Sequence, residues 1–304
     1  MRIPLTSLLC TCLAAGAFGV QFSFDLHPDL GADTGMDLLG DGGIWLRTMT
    51  TPLNPERREE TYKVYTHIFD LQGTGPITKG SGGEFSHHRG LFIGWNHTNV
   101  GGAEFDTWHM KRCTQNHAGW QELVPGEESA TQVQVVEWRD EAGLAFIREI
   151  RTITASPGPD GSRFFDFQSV LVSLRGTIQL RGDLQHAGMQ VRMANEVNDH
   201  QDTTNYLLPE GVVEQKDNRV EGAWWVCCSP VVGGTRYWLM HMTPPGHPTG
   251  VPVYSIRRYA RFGAFFEPDL KEGEPLTLNF RILLSDRELD QARCQLLYDA
   301  YAAR

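Results

Sequence analysis

Apolar and polar residues alternate with period two along much of this chain. Across 131–138, Val133 and Val135 alternate with Gln132 and Gln134. Across 145–154, Ile147 and Ile150 stand against Arg148 and Arg151. Across 164–174, Phe165, Phe167 and Leu171 alternate with Asp166, Gln168 and Val170. Across 275–284, Leu276, Leu278, Phe280 and Ile282 alternate with Thr277, Asn279 and Arg281. Successive side chains of a strand point to opposite faces, so each segment predicts a half-buried strand with its apolar residues inward. Turn-forming clusters such as Glu141-Ala142-Gly143, Pro157-Gly158-Pro159-Asp160-Gly161 and Val232-Gly233-Gly234-Thr235 separate them. Short strands at close spacing predict an all-β fold, an antiparallel β-sandwich or barrel. One helix is expected, at the C-terminus. Ser285 and Glu288 have the spacing of a capping box, and Leu289, Leu296, Leu297 and Ala300 then share a helical face. The stretch 51–61, with its prolines and mixed charges, reads as a solvated loop.

The N-terminus breaks this pattern. Arg2 precedes an apolar run from Ile3 to Leu13, and small-x-small sites follow at Ala15-Gly16-Ala17 and Ala17-Phe18-Gly19. This predicts a signal peptide over 1–19, a single β-sandwich domain over 20–304, and a secreted or periplasmic location. The run is too short to span a bilayer, and no later segment has 18 uninterrupted apolar residues. Of 304 residues, 40% are hydrophobic and 21% charged, which suits a buried core. The formal net charge of −10 comes without a basic run, so neither nucleic acid nor an anionic membrane is expected as partner. Cys10 and Cys12 fall in the signal, which leaves Cys113, Cys227, Cys228 and Cys294. They read as small hydrophobes with free thiols, with at most one of the adjacent pair facing the core.

Three segments offer chemistry. The first is Glu84-Phe85-Ser86-His87-His88-Arg89-Gly90-Leu91-Phe92-Ile93-Gly94-Trp95-Asn96. It places two histidines, able to transfer protons near neutral pH, beside an arginine able to bind an anion. The second is Asp106-Thr107-Trp108-His109-Met110, with His117 eight positions past His109. There Trp108 suits stacking on a sugar ring. The third runs from His186 to Glu196. Met189, Val191 and Met193 face one way. His186, Gln190, Arg192 and, if the strand persists, Glu196 face the other, a row suited to a polyhydroxylated and carboxylated ligand. His241 reads as a structural core histidine and His247 as a loop residue. No HExxH, His-x-His or calcium loop occurs, so no metal or cofactor is assigned. A metal site built from His87 or His88 with His109 and His186 stays open, since ligands can come from separate strands. No nucleotide loop and no GxSxG elbow is present.

His87-His88-Arg89-Gly90-Leu91-Phe92-Ile93-Gly94-Trp95-Asn96, Asp106-Thr107-Trp108-His109-Met110, His186-Ala187-Gly188-Met189-Gln190-Val191-Arg192 and Arg261-Phe262-Gly263-Ala264-Phe265-Phe266 together resemble the DUF6807 family. Pro245-Gly246-His247-Pro248 departs from it, where an Asn-Pro type turn is expected. The family also carries the label "methane oxygenase PmoA". That name belongs to an integral membrane subunit, and this chain has no apolar segment of spanning length. The resemblance implies a secreted all-β protein akin to the galactose-mutarotase supersandwich, of a kind common in bacteria that degrade polysaccharides.

Two functions follow from these residues. The first is a carbohydrate-active enzyme of lyase, epimerase or glycosidase type. It would use His87, His88, Arg89, His109, His186, Arg192 and Glu196 for catalysis, with Trp95, Asn96, Asp106, Trp108, His117 and Gln190 binding the sugar. Hydrolysis would need two carboxylates about 5–9.5 Å apart, and Glu196 with Asp106 is the pair to nominate. The second is a non-catalytic carbohydrate-binding module with Trp95 and Trp108 as stacking platforms. An excess of titratable groups favours the enzyme, and an excess of exposed aromatic rings favours the binder.

Overall fold

Residues 19–304 are described by a computed structural model. The expected signal segment, with Cys10 and Cys12, lies outside them apart from residue 19. Two large antiparallel sheets dominate, one of nine strands and one of eight, with a four-stranded sheet and a two-stranded ribbon beside them. Their inner faces share one apolar core, to which Leu91, Ile93, Met189 and Val191 contribute from one sheet and Phe165, Phe167, Phe280 and Ile282 from the other. The all-β sandwich is therefore the architecture. Among the described residues no helix is long and apolar enough to cross a membrane.

The segments 164–174 and 275–284 face as their alternation predicts, with Phe165, Phe167, Leu171, Leu278, Phe280 and Ile282 buried. Two others differ, the first throughout and the second only at Ile150 and Arg151. In the strand Ala130–Asp140 it is Gln132 and Gln134 that point inward, with Val136 and Trp138, while Val133 and Val135 face outward. The large Val136 and Trp138 side chains set the phase, and the glutamines are accommodated by polar partners. Gln132 donates to Thr48 Oγ1 at 2.7 Å, and Gln134 Oε1 meets His117 Nδ1 at 2.9 Å. In the strand Ala145–Pro157, Ile147 and Ile153 take the core face, so Glu149 and Arg151 enter with them and Ile150 turns outward. The two charges satisfy each other. Arg151 donates to both Glu149 oxygens at 2.8 and 2.9 Å, and Trp138 Nε1 donates to Glu149 at 3.0 Å.

The C-terminal helix spans Gln291–Ala302, later than the sequence placed it. Ser285 ends the strand Leu276–Ser285, and its hydroxyl is spent on the Arg287 backbone. Asp290 is the N-cap, accepting from Arg293 N at 2.7 Å. Cys294 and Tyr298 form the buried face, while Leu296 is exposed. That face covers Trp225, Cys227, Met240 and Met242 on the outside of the eight-stranded sheet. As expected, only Cys228 faces the main core; Cys227 points to the other face and is buried beneath the helix. All four cysteines of the described chain are free thiols. The stretch 51–61 is not wholly loop, since a short helix occupies Arg58–Thr61.

Candidate functional site

Three adjacent strands of the nine-stranded sheet form the floor: Gly90–Trp95, Ala187–Arg192 and Arg261–Phe265. Met189 and Val191 point to the core, so Gln190 and Arg192 point to the opposite face. Arg192 and Arg261 are direct cross-strand partners there, and Gln190 stands opposite Gly263. Gln190 Oε1 accepts from Arg261 Nη1 at 3.0 Å. Phe92 and Trp108 pack edge to face on the same side, with ring centroids 4.9 Å apart.

Four histidines gather above this floor. Gly90 lets the chain turn up into them. Its φ is +43°, and a Cβ there would lie 2.2 Å from the Thr66 carbonyl oxygen. The preceding loop delivers His87 and His88. The 106–109 turn delivers Trp108 and His109, and the 183–186 turn delivers His186. The His87 ring lies 4.2 Å from His88 and 4.3 Å from His109, and His109 lies 4.8 Å from His186. Trp108 stands 5.6 Å from His88 and 5.8 Å from His186. Lys63 ties two of the loops, donating to the Trp108 carbonyl at 2.6 Å and the His87 carbonyl at 3.2 Å. His87 and His109 also border an open hollow with Arg58, Tyr62 and Lys111, so solvent reaches the cluster.

Two of the histidines are held alike, each with Nδ1 on the carboxylate of an aspartate three residues before it. Asp106-Thr107-Trp108-His109 and Asp183-Leu184-Gln185-His186 are both Asp-x-x-His turns. Asp106 Oδ1 accepts from the His109 backbone N–H, and its Oδ2 meets His109 Nδ1 at 2.8 Å. Asp183 accepts from the Gln185 N–H and meets His186 Nδ1 at 2.8 and 2.9 Å. Each carboxylate thereby fixes the imidazole proton on Nδ1 and leaves the Nε2 lone pair facing outward. Asn96 braces the second turn, donating to Asp183 Oδ2 at 3.0 Å. Burial tends to raise both aspartates, but the bonds to histidine and backbone outweigh it and hold them below the usual carboxylate range.

The electrostatics are one-sided. Lys63, Lys79, Arg89, Arg192 and Arg261 surround the cluster, and the partners that hold them are carbonyls, amides or a hydroxyl rather than carboxylates. Burial first, then neighbouring positive charge, lowers His87 to about 2, Lys79 to about 8, and His88 well below the usual imidazole range. Four buried donor atoms in this cluster have no acceptor: Arg192 Nε and Nη1, Arg261 Nε and Trp108 Nε1. Both His88 nitrogens and His87 Nε2 are also buried without partners. An acidic chain thus surrounds a positive, donor-rich cluster.

The sequence candidates divide accordingly. His87, His88, Trp108, His109, His186, Gln190 and Arg192 come together, with Asp106 and Asn96 behind them. Arg89 lies adjacent, but its donors go to the Ser86, Glu59 and Glu60 carbonyls, which pins the histidine loop to the Arg58–Thr61 helix. Trp95 is 0% exposed and bonds the Phe266 carbonyl, because its strand position faces the core. Trp108 is 0% exposed too, a floor rather than a surface platform. His117 lies on another strand, Cys113–Pro125, paired with Gln134 and tilted against Trp120. Glu196 leaves the row because the strand ends at Arg192. It sits in the turn Asn195–Asn198 and accepts from Gly233 N. His241, fully buried against Tyr254, is structural. His247 is in a loop but buried against Phe266. Sequence reasoning missed Asp183, Lys63, Tyr259 and Arg261 as site residues. The repeated Asp-x-x-His spacing was a visible signal for Asp183, and Arg261 opens one of the motif segments. Tyr259, whose ring lies 4.6 Å under the Arg192 guanidinium, had none.

Fold and site together define a β-sandwich protein with a buried histidine–arginine cluster on the outer face of one sheet, bordered by an open hollow at His87 and His109. The chain belongs to the DUF6807 family, described as a family of unknown function, which matches residues 39–299. One solved structure it is similar to is named a polysaccharide lyase. The identity is 10% and the TM-score 0.33, over 89% of this chain and 33% of that one. The chain spans about a third of that protein's length. No curated protein matches it in sequence.

Proposed function

We propose that this chain is an exported carbohydrate-active enzyme that binds a sugar acid at the histidine–arginine cluster and abstracts the proton next to the carboxylate. The observation that carries the reading is the set of unpartnered buried donors on Arg192, Arg261 and Trp108. Leaving such groups unpaired costs about 1–3 kcal/mol each, more for charged ones, and a carboxylate with neighbouring hydroxyls would satisfy them. The two opposed guanidiniums would hold the carboxylate and stabilise the charge that develops on it. His88, with both nitrogens free, would be the proton-transfer group. Removing the proton leaves an electron pair on carbon. In elimination that pair forms the C=C bond as the C–O bond to the neighbouring sugar breaks, and the departing oxygen takes up a proton. In epimerisation the carbon is reprotonated from the other face. Hydrolysis by paired carboxylates fits less well, since Asp106 is committed to His109 and Glu196 to Gly233. The binding-module reading also loses support, because Trp95 and Trp108 are buried.

The test is a panel of uronate-containing polysaccharides and oligosaccharides, followed by ultraviolet absorbance for the unsaturated product and by NMR for inverted centres. His88→Ala should lower turnover by ~10²–10⁴-fold. If the wild type alters no glycan in the panel, the enzymatic reading fails.

A further inference from the structure

We propose that His87, His109 and His186 form a binding site for a divalent first-row transition-metal ion. One ring nitrogen from each lies within 4.8 Å of the other two. The three arrive on separate loops, so no helical or strand repeat makes them converge. Two are already arranged as ligands usually are. Their Nδ1 protons are taken by Asp106 and Asp183, which turns each Nε2 lone pair outward. His87 adds a buried Nε2 with no partner. Three ring nitrogens gathered this closely are best satisfied by a cation or a donor between them. Lys63 is not free for that, because its ammonium points to the His87 and Trp108 carbonyls. Imidazole suits zinc, copper, iron and nickel, and the two aspartates behind the rings supply charge equal and opposite to a divalent ion.

Nitrogens about 2.1 Å from one tetrahedral ion stand about 3.4 Å apart. The rings must therefore close by roughly an ångström on binding. The side chains of His109 and His186 are 22% and 26% exposed, which gives them room. Three protein ligands leave a position for water or a substrate oxygen, the arrangement of a catalytic rather than a structural site. The inference deepens the sugar-acid reading, since such an ion would polarise a carboxylate or keto oxygen. Metal binding itself requires no glycan, so the two can fail separately.

The experiment uses the mature chain, stripped with a chelator and dialysed. Zn²⁺ is titrated by calorimetry, and Co²⁺ by its visible absorption, whose intensity reports coordination geometry. One ion per chain is expected. His109→Ala and His186→Ala should weaken binding at least 100-fold, with circular dichroism checking the fold. Asp183→Asn, a half-exposed position, should weaken it ~10–100-fold even if the histidine variants fold poorly. His117→Ala should bind as the wild type does. No uptake of either ion overturns the proposal, as does wild-type affinity in the doubly substituted His109→Ala, His186→Ala chain. Uptake by a chain that alters no glycan overturns the enzymatic reading and leaves the metal centre standing. Glycan turnover by a chain that takes up no metal overturns the metal centre alone.

Discussion

Arg192 and Arg261 face each other across two paired strands, where side chains of like charge repel. Asn198 accepts from Arg192, Gln190 and Ser255 both accept from Arg261 Nη1, and Arg192 Nε and Nη1 with Arg261 Nε have no acceptor in the protein. Unpartnered donors on two adjacent cations are costly by themselves and would be stabilised by a bound anion. Arg192→Met should leave the melting temperature unchanged or raise it by a few degrees, because Asn198 can turn to water. The same change should weaken retention of a uronate oligosaccharide by about 10–100-fold, the loss of one charge-assisted hydrogen bond. Calorimetric melting beside an affinity measurement checks both halves. A variant that melts much lower would mean the arginine is structural. At this scale the sequence was informative about residue type and silent about partners. His87 and His88 are adjacent in sequence, but only the loop path shows that His87 meets His109 and His186.

Among the elements, the strand Ala145–Pro157 is one of two whose facing the alternation misjudged. Period-two reading treats a charged residue as outward. Glu149 and Arg151 are inward because they neutralise each other beside Trp138. Breaking one partner strands a buried charge, which costs about 3–5 kcal/mol, whereas replacing both by apolar groups is far milder. Glu149→Leu should therefore destabilise the fold strongly by denaturant titration, and the double change Glu149→Leu, Arg151→Met should recover most of the loss. Equal destabilisation in both would show that the pair does not act as a unit. The strand Ala187–Arg192 contains a second constraint. Gly188 has φ +88°, and a Cβ there would lie 2.0 Å from the Ala264 carbonyl oxygen. Gly188→Ala should destabilise by roughly 2–4 kcal/mol and loosen the register that opposes the two arginines.

The whole molecule buries several neutral histidines away from the cluster. Burial lowers His241 to about 3 and His67 to about 4. In the unfolded chain the same rings titrate near 6.5. Their contribution to stability is complete above that value and is lost as pH falls through the window from 6.5 toward 3–4, because only the unfolded state takes up the proton. At pH 5 the loss for His241 is roughly 2 kcal/mol. The melting temperature should fall steadily from pH 7 to pH 5, and His241→Gln should flatten that slope. An unchanged slope would mean that other groups dominate the acid response. Export is tested at this scale as well. N-terminal sequencing of the secreted protein should find cleavage between Ala17 and Gln21, and a chain beginning at Met1 would refute it.

The sequence by itself determined the all-β class, because the two-residue repeat of a strand is local and survives in any sheet arrangement. It also marked the segments that build the cluster, since histidine and arginine beside glycine form an unusual composition within a short window. Strand facing was legible where large apolar residues set the phase, as in 164–174, and failed where buried polar pairs cancel each other. Only the tertiary structure decided that Trp95 belongs to the core, that Glu196 turns away, and that Asp183 and Arg261 complete the site. Those outcomes depend on contacts between residues far apart in the chain, such as Arg192 with Arg261 or His87 with His186. Register between distant strands and the path of three loops set those distances, and neither is encoded in any single segment.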